Sequence, residues 1–311
     1  MELRQLEAVR EVVATGSVTG AAAVLHCTPS AVSQQVRIAE RLAGTTLFER
    51  DGRGVRPTPA GLALAARAVD VAVAVERARA AVAEHAARPT GVVRVSAFQS
   101  AAELLFPLLL GVAARHDGVE VECVEQDVTQ DAFVPLTASA DVVVAHRPAR
   151  SVAFADVGLR IMRLMREPLD VALPRDHPLA DREEIGPADL AREPWITVQE
   201  GFPIAKVVDE LAARSGSVFT VRHRINDFHV TAALVAAGQG VALLPRYCTD
   251  VRPVHRVVLR PLRGLRPARL VEALVRADRA ERRVVQTVLQ DLQEQAAGVV
   301  AAYEDLASSR R

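Results

Sequence analysis

The chain has 311 residues, half of them hydrophobic and 24% charged, with Lys+Arg and Asp+Glu balanced at 38 each for a formal net charge of zero. That length allows two or more cores, that composition excludes dominant disorder, and the zero balance excludes a protein that is basic all over, so any nucleic-acid contact has to come from locally placed arginines. No basic-then-apolar leader opens the chain and no apolar run approaches roughly 18 residues, which sets the expectation of a cytoplasmic protein that does not enter a membrane.

In chain order, Leu3, Leu6, Val9, Val12 and Val13 recur at helical steps and predict an amphipathic helix that Gly16 ends. Ser17 is placed to cap a second helix through Ala21, Ala22, Val24 and Leu25, and His26-Cys27 breaks it. Cys27, Cys123 and Cys248 lie far apart and form no ligand spacing, so neither a disulfide framework, a metal nor a cofactor is expected. Thr28-Pro29 then signals a helix start, because threonine caps the open amides and proline lacks an N–H where none has a partner. The third helix runs from about Pro29 to Leu42. It buries Val32, Val36 and Ala39, with Leu42 extending that face, and turns Ser30, Ser33, Gln34 and Arg37 partly outward.

A helix fits the major groove, amide and guanidinium forks match paired acceptors on base edges, and hydroxyls anchor phosphates. Alone, the same pattern describes an ordinary helical hairpin. Leu47-Phe48 continue into Glu49-Arg50, a turn at Asp51-Gly52-Arg53-Gly54 and a return from Val55 to Thr58, which reads as a small wing carrying Arg50, Arg53 and Arg56. Residues 1–60 hold seven arginines (4, 10, 37, 41, 50, 53 and 56) against six acids (2, 7, 11, 40, 49 and 51), a net of +1. The placement of those arginines matters more than their number.

From Pro59 to about Ala87 an alanine-rich run without breakers predicts one long helix. Its apolar strip suits a second copy of itself or, alternatively, the rest of its own chain. Pro89 and Gly91 close it. Strands then alternate with helices: strands at Val92–Val95, Val119–Val124, Asp141–Ala145, Leu169–Leu173, Trp195–Val198, Val218–His223, Val241–Leu244 and Leu270–Arg276, and helices near Ala101–Ala114, Ile204–Arg214, Phe228–Ala237 and Glu281–Ala297. This alternation implies parallel-rich sheets covered by helices, in two lobes with a cleft between. The resulting division is a winged helix-turn-helix over 1–58, a linker helix over 59–88 and an α/β domain over 89–311, one lobe at about 91–145 and 268–300 and the other at about 146–267.

The connected pattern Gly16-Ser17-Val18, Ala21-Ala22-Ala23, Leu25-His26, Thr28 to Val36, Glu40, Gly44 to Arg50 and Thr58-Pro59-Ala60-Gly61 resembles the DNA-binding region of LysR-type transcriptional regulators. Gly238 to Pro245 resembles a feature of that family's second lobe. The resemblance implies an N-terminal all-alpha winged helix-turn-helix with a long linker helix, followed by an α/β two-lobed periplasmic-binding-protein-like effector domain. It implies DNA contacts from Ser30, Ser33, Gln34 and Arg37, with Arg50 and Arg53 at the wing. It also implies a homodimer through the linker helix, assembled further into a homotetramer, with RNA polymerase a further candidate partner. Two residues depart from the pattern: Pro29 stands where glutamine is common, and Ala39 where leucine often precedes the glutamate.

For the effector, Ser96, Phe98, Gln99 and Ser100 end one strand and open a helix, where free amides and hydroxyls fit a carboxylate or similar anion. Thr197, Gln199 and Phe202 follow a strand across the cleft, His146 sits near the lobe crossing, and Asn226-Asp227 opens another helix. Local capping remains the alternative for Ser100 and Asp227. No serine has a nucleophile-elbow context and no histidine pair has zinc spacing, so no catalytic or metal residue is assigned and an enzyme is not expected. The competing function is a small-molecule binding protein whose front helices do not recognise DNA; Gln34, Arg37 and the wing arginines favour the regulator.

Overall fold

The helical spacing of the first apolar residues produces α1 (Leu3–Thr15) in a computed structural model of the chain that describes residues 1–52, 54–83, 89–154, 158–249 and 256–309. Ala8, Val9 and Val12 are buried, and Gly16 ends the helix at φ 66°, a left-handed turn that suits glycine. Ser17 Oγ accepts the Gly20 N–H at 2.9 Å and starts α2 (Val18–Val24). Thr28 Oγ1 accepts the Ala31 N–H at 3.2 Å, and Pro29 opens α3 (Pro29–Ala43). Val32 and Val36 close a small core against Ala8, Val12, Ala21 and Ala22. Leu42 does not extend that face: it is 59% exposed, because at about 100° per residue it lies roughly 90° from the centre of the buried stripe.

Glu40 Oε1 accepts the N–H of Leu47 at 2.9 Å and of Phe48 at 3.4 Å, tying α3 to the wing. The wing pairs β1 (Phe48–Asp51) antiparallel with β2 (Gly54–Pro57), Arg50 opposite Val55. Thr58 Oγ1 then accepts the Gly61 N–H at 3.1 Å in the first turn of α4 (Pro59–Ala83). The long helix is described as far as Ala83, and the expected stretch to 88 lies outside the described residues.

The remaining elements are β3 (Gly91–Ala97), α5 (Gln99–Arg115), β4 (Val119–Glu125), α6 (Phe133–Leu136), β5 (Val142–Pro148), β6 (Leu159–Pro174), β7 (Pro194–Thr197), α7 (Pro203–Ser215), β8 (Thr220–Arg224), α8 (Phe228–Ala236), β9 (Val241–Pro245), α9 (Arg246–Thr249), β10 (Val257–Arg260), β11 (Ala268–Arg276) and α10 (Arg283–Ser309). Their sheet order is β4-β3-β5-β11-β6-β9-β7-β8, with β10 also on β6. The outer strands are parallel in each lobe, β4-β3-β5 in the first and β9-β7-β8 in the second, and the antiparallel strands β11 and β6 join them.

Strand β6 is the hinge of this arrangement. Its residues 159–168 pair with β11, and Leu169–Ala172 pair with β9, so the chain passes between lobes near Pro168-Leu169. It returns alongside, where the Leu169 N–H donates to the Pro267 carbonyl at 3.0 Å. Residues 146–148 and 159–168 were expected with the second lobe but pair into the first lobe's sheet. Arg160, Arg163 and Arg166 at three-residue steps hide the alternation that would have revealed a strand there. Each lobe has its own core: Leu105, Phe133 and Leu292 are among the buried residues of the first, and Trp195 stacks on Phe219 at 4.7 Å in the second.

Helix α4 starts so close to the segment before the wing that a Cβ on Gly61 would lie 2.1 Å from the Leu47 carbonyl oxygen. Backbone cannot yield as a flexible side chain does. Gly61→Ala is therefore expected to cost about 1–3 kcal/mol of stability, read as a lowered urea midpoint; an unchanged midpoint would contradict this packing.

Candidate functional site

On α3, Ser30, Gln34 and Arg37 are exposed and Ser33 half-buried, all on the side away from Val32 and Val36. The Arg37 Nε donates to the Ser33 carbonyl at 3.3 Å, which holds the guanidinium along the helix surface. Gln35, the neighbour, is turned inward, its Oε1 accepting from Gln5 Nε2 at 2.7 Å. Arg41 and Arg50 are exposed without an ion pair among the described residues, while Arg56 pairs with Glu49 at 3.1 Å. Arg53, assigned to the same surface, lies outside the described residues. Two of the head's acids are engaged away from this face, Glu40 in the wing junction and Glu11 in the cluster described next.

Glu11 of α1 is 1% exposed and accepts two hydrogen bonds from Arg276, the last residue of β11, at 2.6 and 2.8 Å. Arg10 completes the cluster, donating to Asp278 Oδ2 at 2.7 Å and lying 2.9 Å from Glu11 Oε1. Burial pushes the Glu11 carboxyl up, but hydrogen bonds and charge from Arg276, with Arg10, outweigh it and hold it below its ordinary 4.5. Asp278 likewise sits below 3.8, the charges of Arg10 and Arg276 overcoming its burial. The head is thus clamped onto the first lobe by a buried ionic cluster. Farther along, Glu281 pairs with Arg77 of α4 and with Arg160 of β6.

Between the lobes, Phe98, Ser100, His146, Phe202 and Asn226 line one cavity together with Asp127, Val198, Pro203, Ile204, Phe228 and Arg269. Only ≈ 20 Å³ of it admits the centre of a water-sized sphere, room for about one water, so the lobes stand nearly closed. Polar contacts among the described residues cross between the lobes: Gln99 Nε2 donates to Asp227 Oδ2 at 2.8 Å, His229 is hydrogen-bonded to Glu103 at 2.7 Å, and Arg150 Nη1 donates to Glu210 at 3.2 Å farther out. Other expected residues are engaged at the cavity's edge. Ser96 Oγ donates to Gln126 at 2.9 Å, the Gln199 N–H donates to Asn226 Oδ1 at 2.9 Å, and Thr197 lines a neighbouring recess.

Arg269 dominates the cavity wall. It is 1% exposed, lies 4.8 Å over the Phe98 ring, and donates from Nε to Glu167 at 2.8 Å and from Nη2 to Ser100 Oγ at 2.9 Å. Its Nη1 is buried without a partner, as is Nδ1 of His146. Burial, then the charge of Arg269, hold the His146 imidazole neutral, well below its ordinary value. Asp127 is exposed as a residue, yet loss of water around its carboxyl, then the charge of Glu125 against the pull of Arg269, push it up to about 6. A second cavity of ≈ 100 Å³ by the same measure lies beside the Glu11 cluster, but its polar groups Arg10, Arg276 and Asp278 are all paired, so the cleft is the stronger ligand site.

The sequence of residues 3–62 matches the family description "Bacterial regulatory helix-turn-helix protein, lysR family", and residues 86–297 match "LysR substrate binding domain". The chain belongs to the LysR family. Among similar proteins of that kind, the HTH-type transcriptional regulator ShiR of Corynebacterium glutamicum is 32% identical over 78% of this chain and 82% of its own. A small neutral protease regulatory protein of Streptomyces coelicolor is 32% identical over 84% and 82%. Among solved structures, a full-length OxyR variant from Pseudomonas aeruginosa superposes with a TM-score of 0.66 at 21% identity, covering 94% of this chain and 98% of that one. Full-length CbnR complexed with its target DNA gives 0.54 at 21%, covering 95% and 100%. This LysR-family chain is a sequence-specific DNA-binding transcriptional regulator whose activity responds to a small-molecule effector, not an enzyme. No helix among its described residues is long and apolar enough to cross a membrane.

Sequence reasoning missed Arg269, Asp127 and the Glu11–Arg276 clamp. A signal existed for two of them: Arg269 and Arg276 lie in the run from Ala268 to Arg276, whose nine positions are all buried, and charges in such a run need partners. Glu11→Gln is expected to cost about 3–5 kcal/mol, because Arg276 is left buried beside a neutral group. The clamp contributes stability above the ordinary carboxyl values of 4.5 and 3.8 and loses it as pH falls through the lower folded values. Thermal melts from neutral pH downward should show this loss in the wild type and a flatter acid limb in Glu11→Gln; parallel curves would contradict it.

Proposed function

We propose that α3 enters the major groove with Ser30, Ser33, Gln34 and Arg37 toward bases and phosphates, while Arg50 and Arg53 at the wing hold the backbone. The observation that carries this is the outward row of short polar and guanidinium groups on a helix whose other side closes the head's core. CbnR, similar in fold, is known on its target DNA, which supports the reading. Residues 1–58 form the head in this account, 59–88 the linker and 89–311 the sensor. Two copies pair through α4, which leaves Leu62, Val71 and Val82 exposed at 49%, 37% and 74%, and paired dimers form a tetramer.

The effector occupies the inter-lobe cleft once the lobes part, touching Phe98, Ser100, His146, Phe202 and Asn226, with Ser96, Gln99, Thr197 and Gln199 shaping its rim. Its effect reaches the head through β11, because that strand holds Arg269 in the cleft wall and Arg276 in the clamp on α1. At about 3.3 Å per residue these positions are on the order of 23 Å apart along one strand. An effector that prefers one lobe arrangement shifts the population of head positions by its differential affinity.

Binding to the DNA upstream of the neighbouring transcription unit, titrated by fluorescence anisotropy at several salt concentrations, tests this. Arg37→Ala should weaken that site by about 1–3 kcal/mol while barely changing binding to scrambled duplex. Arg50→Ala should weaken both alike and lower the salt slope by about one. Equal affinity of the intact protein for the upstream and scrambled duplexes would sink the reading.

A further inference from the structure

The polar groups of the cleft define what it accepts. Arg269 Nη1 is a buried cationic donor with no acceptor, and only about one water fits beside it. A ligand carboxylate there would make a charge-assisted hydrogen bond, the strongest available. Asp127 lines the same cavity and makes no hydrogen bond or ion pair among the described residues. Nδ1 of the neutral His146 is a third unpartnered polar atom on this wall.

These groups discriminate by charge. A simple anion placed on Arg269 would lie among carboxylates, since Glu167 already holds that guanidinium and Asp127 faces the space. A simple cation on Asp127 would leave Arg269 Nη1 unpaired and add a second positive charge beside it. A molecule with both charges close together gives each its partner. Much of the remaining lining is apolar, with Phe98, Phe202, Phe228, Val198 and Ile204, and offers little to a polar side chain.

We propose that the effector is an α-amino acid with an uncharged, apolar side chain, its carboxylate on Arg269 and its ammonium on Asp127. This rests on the reading of the inter-lobe cleft as the effector site. Ser96, Gln99 and Ser100, which resemble an anion nest in the sequence, are already bonded to Gln126, Asp227 and Arg269, so the carboxylate goes to the guanidinium instead.

Calorimetric titration of the full-length protein with L-valine, L-leucine and L-phenylalanine, each beside its 2-hydroxy acid and its decarboxylated amine, tests the class. At least one amino acid should bind at least tenfold more tightly than both of its analogues. Asp127→Asn, at a partly exposed position where folding is not at risk, should erase the advantage over the hydroxy acid. Arg269→Gln should erase the advantage over the amine. The proposal is overturned if no amino acid binds, if an analogue or succinate binds more tightly, or if Asp127→Asn leaves the preference intact. Asn226→Trp, which fills the cavity, separates the two failures. If it abolishes binding of a tighter analogue, the cleft reading stands and only the ligand class falls. If it leaves binding unchanged, both fall.

Discussion

Charged side chains in a fully buried strand must find partners, and β11 carries Arg269, Glu272 and Arg276 along nine buried positions. Taking an ion out of water costs several kcal/mol, so each needs a counter-charge held in good geometry. The three partners come from different parts of the molecule. Arg269 takes Glu167 of β6, Glu272 takes Arg147 of β5 at 2.8 Å, and Arg276 takes Glu11 of the DNA-binding head. One strand therefore fixes the lobe crossing, the first lobe's sheet and the seat of the head together. Such pairs add little net stability over an apolar core of the same shape, but they penalise every arrangement in which a partner is displaced.

That penalty makes the fold suited to switching between discrete states. The lobes are joined across the cleft by Gln99 on Asp227, His229 on Glu103 and Arg150 on Glu210, exposed or half-buried contacts that are far cheaper to break than the Glu11 clamp. Entry of a ligand into the small cavity has to open these first. In the coupling proposed above, the buried cluster at the other end of β11 moves with the strand, because packed interiors shift between arrangements rather than deform continuously.

Much of the head was legible in the sequence because its signals are local. Ser17, Thr28-Pro29 and Gly16 cap and stop helices within a turn of themselves, and the Asp51-Gly52 turn lies between the two strands it joins. The lobes were legible as alternating elements for the same reason. What escaped depends on distant pairing. Residues 159–168 form a strand because β11 lies beside them, not because of their own pattern. Asp127 and Arg269 reach one cavity from residues far apart in sequence, and Glu11 reads as an ordinary surface acid until Arg276 is brought to it. Ser96 and Gln99 lie at the end of β3 and the start of α5 as the pattern predicts, yet their side chains turn to protein partners that only the tertiary fold supplies.

Coupling of the cleft to the DNA-binding head through β11, as proposed above, has a direct consequence for DNA affinity. A double-mutant cycle on DNA affinity tests it most directly, using wild type, Asn226→Trp in the cleft, Glu11→Gln in the clamp, and the two combined. Filling the cleft should change DNA affinity severalfold in the wild type and far less once the clamp is cut, a coupling of about 0.5 kcal/mol or more. Strictly additive effects would contradict it.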